Sequence, residues 1–219
     1  MKILAAENST PEGSLAWLVD GEVAAACSWS NRTRRNQAFF MALESFLDEH
    51  AILPGDVDAM AVGRGPGNFS GMRTCQAAIQ GLALPNRTPV LAISSGVALA
   101  WQALEGRETG HRVAVVGDAR RGTLWYGLFS QREGRPICEL DWRTIDAGAH
   151  ADMLSDHVNT QVLSSECERV RPLVRAMEIG SAFPSADWLA RLAAEQLAGR
   201  REPEPLGPIY LHPAVAPPA

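Results

Sequence analysis

Lysine is almost absent from this chain of 219 residues: Lys2 stands alone, and every other basic residue is arginine. The glycine-rich stretch "GRGPGNFSGMR" at 63–73 runs from Gly71 into Met72 and Arg73. A P-loop needs a lysine directly after its last glycine to reach the phosphates, so that reading is excluded. Cysteine is scarce too. Cys27, Cys75, Cys138 and Cys167 are too far apart in sequence for a metal knuckle or a redox pair, which points to reduced thiols in a cytoplasmic setting. No run approaches the roughly 20 apolar residues of a membrane span. The opening "MKILAAENST" turns polar too early for a signal peptide, so a soluble cytoplasmic protein without membrane contact is expected. The HExxH pattern of zinc peptidases is missing. The net charge of −5 gives no bulk attraction for RNA or anionic membranes.

What is present reads as a strand-rich start followed by alternation. "KILAAE" (2–7), "SLAWLVD" (14–20) and "EVAAACSWS" (22–30) are strand candidates, the last two joined through Gly21 in a tight hairpin. "RNQAFFMALESFLDEH" (35–50) places Phe39, Leu43, Phe46 and Leu47 on one helical face. A strand at 56–63, a helix to about Leu84, a strand at 89–94 and a helix at 94–105 follow, the last with Ser94 or Ser95 as its N-cap. Three strands followed by αβαβα is the order of a ribonuclease-H-like half. Strands at 112–118, 123–130, 137–145 and 160–165, a short helix near 147–157 and a helix at 185–199 give a reduced second half. The expected fold is therefore α/β, a duplicated ribonuclease-H-like fold of the actin-like class. Its N-terminal subdomain would cover 1–105, and a smaller C-terminal one 106–219, ending in an extended proline-rich tail.

The glycine stretch admits two readings. It lies between a buried strand and a helix, where backbone amides and the helix dipole can hold an anion. Gly65 and Gly67 allow backbone angles that other residues resist, and Ser70 can cap the helix that begins near Gly71. A dinucleotide fingerprint is opposed by Ser70 in the place of the third glycine and by the lack of an acid between Pro85 and Ser95. The other reading is a strand-to-helix turn without a ligand.

"AVGRGPGNFSGMRTCQAAIQGLAL" (61–84) resembles the signature segment of the bacterial TsaB (YeaZ) family, GRGPGSFTGxR followed by GLA. "ILAAENST" (3–10) is similar to the family's opening ILAIDTST, "VGDARRGTLWYGLF" (116–129) to its DARxGEVY segment, and "PIYLHPAVA" (208–216) to its closing PxYLR. The resemblance implies a two-subdomain actin-like protein that serves the synthesis of threonylcarbamoyladenosine in the anticodon loop of tRNAs reading codons that begin with A. It implies a non-catalytic subunit that pairs with the transferase TsaD, and with it the ATPase TsaE. In TsaD's absence a homodimer is a possible arrangement, and tRNA would be met only indirectly. Members have also been called glycoproteases or M22 peptidases; peptidase activity is not expected here.

No catalytic residue and no metal site is expected. The first long helix holds only His50, at its end, where TsaD-like enzymes carry two metal-binding histidines. Asn36 stands where TsaB relatives often have one. His111, His150, His157 and His212 are scattered. Glu7 replaces the aspartate that the actin-like fold places after its first strand, and Asn8 replaces the usual threonine. Together with Asp118 and Arg120 of "DARRGTLWY" these would form a degenerate nucleotide site; the other reading of that segment is an exposed charged hairpin. The isolated chain would bind no cofactor, with ATP or ADP held only weakly or at the partner interface. Gly65, Gly67, Ser70, Gly71 and Arg73 make up the glycine loop. Met72, Cys75, Ile79 and Leu82 face the sheet, leaving Thr74, Ala77, Ala78 and Gly81 as a small-residue stripe. With Met41 this stripe is the expected partner or dimer interface; the bland alternative is packing against the chain's own first helix. The alternative function is a stand-alone actin-like ATPase or small-molecule kinase.

Overall fold

The structure, a computed structural model, describes residues 1–32, 35–146, 160–174 and 178–211, without the side chains of 35 and 36. The expected helix near 147–157, His150, His157, His212 and the side chain of Asn36 lie outside the described residues.

The chain opens with β1 (Lys2–Glu7), β2 (Glu12–Val19) and β3 (Glu22–Ser30), joined as an antiparallel meander. Asp20 and Gly21, at φ 52° and 90°, supply the two left-handed residues of the β2–β3 turn. Then come α1 (Arg35–Glu49), β4 (Ala59–Gly63), α2 (Phe69–Ala83), β5 (Val90–Ile93) and α3 (Ser95–Leu104). The strands form one sheet in the order β3-β2-β1-β4-β5, with β4 parallel to β1 and β5 parallel to β4. The second sheet repeats this plan. β6 (Arg112–Arg120), β7 (Thr123–Arg132), β8 (Arg135–Asp146), β9 (Thr160–Ser164) and β10 (Ile179–Ser181) are ordered β8-β7-β6-β9-β10, with the same parallel and antiparallel senses. The fold is thus the duplicated ribonuclease-H-like, actin-like arrangement. β10 and the one-turn α4 (Cys167–Val170) escape the sequence reading because three or four residues carry no measurable periodicity.

Alternation along β1 and β4 divides the first sheet into two unlike faces. Leu4, Ala6, Met60 and Val62 meet Phe39, Leu43 and Phe46 of α1 and Cys75 and Ile79 of α2 in one buried cluster. The opposite face carries the small Ala5, Ala16, Ala59 and Ala61 beside Ile3 and Leu18, all fully buried. A helix can approach such a face closely, and α5 (Ala186–Leu197) packs there with Ala186, Leu189, Ala190 and Ala193 buried. The Ser14 hydroxyl accepts from the Ala186 N–H at 2.9 Å and caps it.

This corrects the expected boundary at 105/106. The helix at 185–199 belongs to the first unit, which comprises Met1–Gln102 and Phe183–Ile209; the second comprises Ala103–Ala182 and the residues from Tyr210. The alanine-lined face of the first sheet is its physical complement, and no sequence adjacency reveals that. In the second unit, Trp125, Trp142 and Phe129 form an aromatic group with centroids 5.5–5.6 Å apart for the two Trp142 pairs. Gly117 and Gly127 make room for the Trp125 and Trp142 rings, which a Cβ would strike.

Candidate functional site

The strand order of the first sheet reverses direction between β1 and β4. In open α/β sheets the ligand crevice lies there, outside the carboxyl ends of the strands. Glu7 ends β1, Gly63 ends β4, and Ser94 and Ser95 follow β5. The crevice is filled from within. Glu7 is fully buried, and its Oε1 accepts from the Ser9 N–H at 2.5 Å. Oε2 lies beside the Ser95 hydroxyl, has no hydrogen-bond partner of good geometry, and occupies the space a Cβ on Gly63 would need. Burial pushes the Glu7 carboxyl above the ordinary carboxylate range, only partly offset by the Ser9 and Ser95 groups beside it.

The glycine loop closes over this carboxyl. A Cβ on Gly67 would collide with the Ser9 carbonyl, and one on Gly71 with the Asn8 carbonyl. The Asn68 N–H donates to Ser9 O at 2.6 Å, and Asn8 Nδ2 donates to Gly71 O at 3.3 Å. Gly65 N–H donates to Ser95 Oγ at 3.0 Å, and Gly65 O accepts from Ser94 Oγ and the Ser95 N–H. Asn68 Oδ1 accepts from the amides of Ser70 and Gly71. Asn68 is therefore the N-cap of α2, and Ser70, expected in that role, is the second residue of the helix. Asparagine three residues before Gly71 is itself a cap signal, and it was legible. The amides of Gly65, Asn68, Ser70 and Gly71 thus donate within the chain, and the stretch forms a joint between β4 and α2. Arg73 points outward, its guanidinium 4.1 Å from the Phe69 ring centre.

Asn8 is held by a buried relay that the sequence reading missed. Asn31 Nδ2 donates to Asn8 Oδ1 at 2.8 Å and to Thr10 O at 3.1 Å, while Trp29 Nε1 donates to Asn31 Oδ1 at 2.9 Å. Ser94 caps α3 through its hydroxyl at the Val97 N–H. In the second unit Asp118 and Arg120 sit at the β6–β7 hairpin, where Arg121 and Gly122 take φ 53° and 77°. Asp118 Oδ1 accepts from the Arg120 N–H and Oδ2 pairs with its guanidinium, both at 2.7 Å. The Asp118 carboxylate is thus engaged by its own hairpin. Among the described residues, no group of three His, Cys, Asp or Glu side chains is placed to hold a metal ion. No helix among them is long and apolar enough to cross a membrane.

The remaining site residues lie on α1 and α2, which share one face of the first sheet. Met41 is 51% exposed and Phe40 beside it 50%; Phe69 at the start of α2 is 47% exposed. Ala77 and Gly81 are exposed, whereas Thr74 and Ala78 are half-buried and Ala78 packs on the unit's own core. The small-residue stripe is therefore divided between the chain's own packing and solvent.

Comparison with known proteins follows the same lines. The sequence pattern of the family described as TsaD, tRNA N6-adenosine threonylcarbamoyltransferase, matches residues 34–135. The tRNA threonylcarbamoyladenosine biosynthesis protein TsaB of Haemophilus influenzae is 33% identical over 126 residues, 58% of this chain and 52% of that protein. Its counterpart in Escherichia coli is 31% identical over 133 residues, 61% and 57% respectively. The matched stretch thus spans little more than half the length of these relatives. The solved structure of YeaZ from Pseudomonas aeruginosa superposes with a TM-score of 0.75 at 25% identity, covering 96% of this chain and 99% of that one. The fold matches that of YeaZ over nearly the whole chain, and the sequence matches fall on proteins named TsaB: the chain is similar to the TsaB (YeaZ) family.

Proposed function

We propose that this chain is a non-catalytic, scaffolding subunit in the synthesis of threonylcarbamoyladenosine on tRNAs that read codons beginning with A. It works in the cytoplasm by docking a TsaD-type paralogue, and with it a TsaE-type ATPase, through α1 and α2; without them it pairs with a second copy. The observation that carries this reading is the surface of those helices, where the large apolar Phe40, Met41 and Phe69 are about half exposed and the small Ala77 and Gly81 are exposed as well. A helix pair that exposes large apolar groups and small residues suits a protein partner. The names of the relatives support a place in this biosynthesis.

The rival, a self-sufficient ATPase or kinase, needs a seat for phosphate. The crevice at the β1–β4 switch point is packed with Glu7, Asn8 and Ser9 instead. On this reading the isolated chain binds no nucleotide, any ATP or ADP sits at the partner interface, and tRNA is met through the partner. Depleting the protein and quantifying threonylcarbamoyladenosine in bulk tRNA tests the role, alongside an ATPase assay of the purified chain. Loss of the modification with no ATP turnover is expected. Unchanged modification overturns the proposal, and robust turnover by the chain alone favours the kinase.

A further inference from the structure

Arg64 belongs to the signature glycine stretch, yet it faces away from the buried Glu7 crevice toward the C-terminal segment of the first unit. After α5 the chain turns at Gly199, φ 68°, and runs as a strap along the edge of β5. Glu204 forms an antiparallel bridge to Ala92. Arg64 Nε donates to Gly207 O at 2.8 Å, its NH1 pairs with Glu204 Oε2 at 3.4 Å, and its carbonyl accepts from the Ile209 N–H at 2.8 Å. Glu204 Oε1 also pairs with Arg201 at 3.0 Å, and Gln196 Nε2 donates to Glu202 O. The Arg64 and Glu204 side chains are only 14% and 16% exposed, so this pair is far better shielded than a surface ion pair. Pro203 and Pro205 bias Glu202 and Glu204 toward extended backbone, which lowers the entropy lost when the strap lies down.

We propose that Arg64 and the β5 edge form a groove that reads an extended, acidic, proline-bearing segment. Residues 201–209 fill it in cis, and the same segment of a second copy of this chain can fill it in trans. Glu204 is the acid that is read, Arg64 the reader, and Gly199 the hinge at which the strap leaves. A strap exchanged between copies makes the same contacts it makes at home, so exchange needs no new complementarity. A strap that lifts leaves β5 as an unpaired edge, which favours its recapture. The glycine stretch then serves two masters: its glycines lock onto residues 8 and 9, while its arginine holds the C-terminal segment.

The test uses full-length protein and a fluorescent peptide of the sequence RREPEPLGPIYL. The wild-type chain takes up little peptide, because its tethered strap competes at an effective concentration of about millimolar. Glu204→Ala loosens that strap and leaves the groove intact, so it binds the peptide at least about tenfold more tightly than wild type. Arg64→Ala loosens the strap equally but removes the reader, so its binding falls about tenfold or more below that of Glu204→Ala. A folded Glu204→Ala that ignores the peptide, or an Arg64→Ala that binds it equally well, overturns the proposal. Should Glu204→Ala fail to fold, Glu204→Gln takes its place, and hydrogen exchange of the wild type decides independently. The Ile209 amide should exchange much faster than the buried Met60 amide, reporting strap release without global unfolding; equal protection of the two refutes a detachable strap.

Discussion

Glu7 is the residue whose chemistry departs furthest from that of a free side chain. Its carboxyl is fully buried, with one oxygen held by the Ser9 amide and the other orphaned against Gly63 and Ser95. Desolvation raises its pKa above the ordinary 4.5. Between that value and its folded value, the native state binds more protons than the unfolded state, so stability falls as pH rises through this window. Glu7→Gln keeps the shape and removes the titration. The variant should match wild type below about pH 4.5 and become the more stable of the two as pH rises, the gap levelling off above the folded pKa. Urea unfolding of both proteins from pH 4 to 8 measures this; a gap that does not vary with pH means Glu7 is not buried as an acid. The same carboxyl, after burial itself, helps hold the Cys75 thiol well above its usual range.

At the scale of elements, α2 carries two glycines with opposite meanings. Gly71 lies in its first turn against the Asn8 carbonyl, where a Cβ has no room. Gly81 lies near its end, with nothing within 4 Å of a Cβ. Gly71→Ala should therefore destabilise the protein by about 1–3 kcal/mol through forced separation of the glycine joint from residues 8 and 9. Gly81→Ala should stabilise it by about 0.5–1 kcal/mol, because alanine restricts the unfolded chain and suits a helix interior. Thermal or denaturant melts of the two variants distinguish the positions; similar effects would mean the loop does not pack on β1's continuation as described. Gly81 also lies on the outward face, so a stabilising substitution there that weakens partner capture would separate fold from docking.

At the scale of the whole molecule, the two units repeat one topology with different elaboration. The first unit carries the α1–α2 surface, and its folding does not depend on the exposed Ala77. Ala77→Arg should leave the melting transition within about 0.5 kcal/mol of wild type while abolishing co-purification of a TsaD-type partner and self-association. Survival of both associations in the folded variant would assign docking to another surface. A loss of folding is not expected, since the position faces solvent and arginine is a good helix former.

Element order, the Asp20–Gly21 hairpin, the apolar faces of α1 and α2 and the family motifs were all legible in the sequence, because each rests on local spacing or on residue types with narrow backbone preferences. Asn68 as the cap of α2 is legible too, because asparagine is among the preferred cap residues. Three features were decided only by tertiary structure. The helix at 186–197 returns to the first sheet because Ala5, Ala16, Ala59 and Ala61 offer it a shallow face, a complementarity between segments more than a hundred residues apart. The amides of Gly65, Asn68, Ser70 and Gly71 donate to Ser95, Ser9 and Asn68, so much of a stretch with the composition of a phosphate cradle is tied up within the chain. Arg64 meets Glu204 across 140 residues of sequence. Local pattern specifies which elements form; which of their polar groups remain free for a ligand depends on what the rest of the chain brings to them, and sequence spacing carries no record of that.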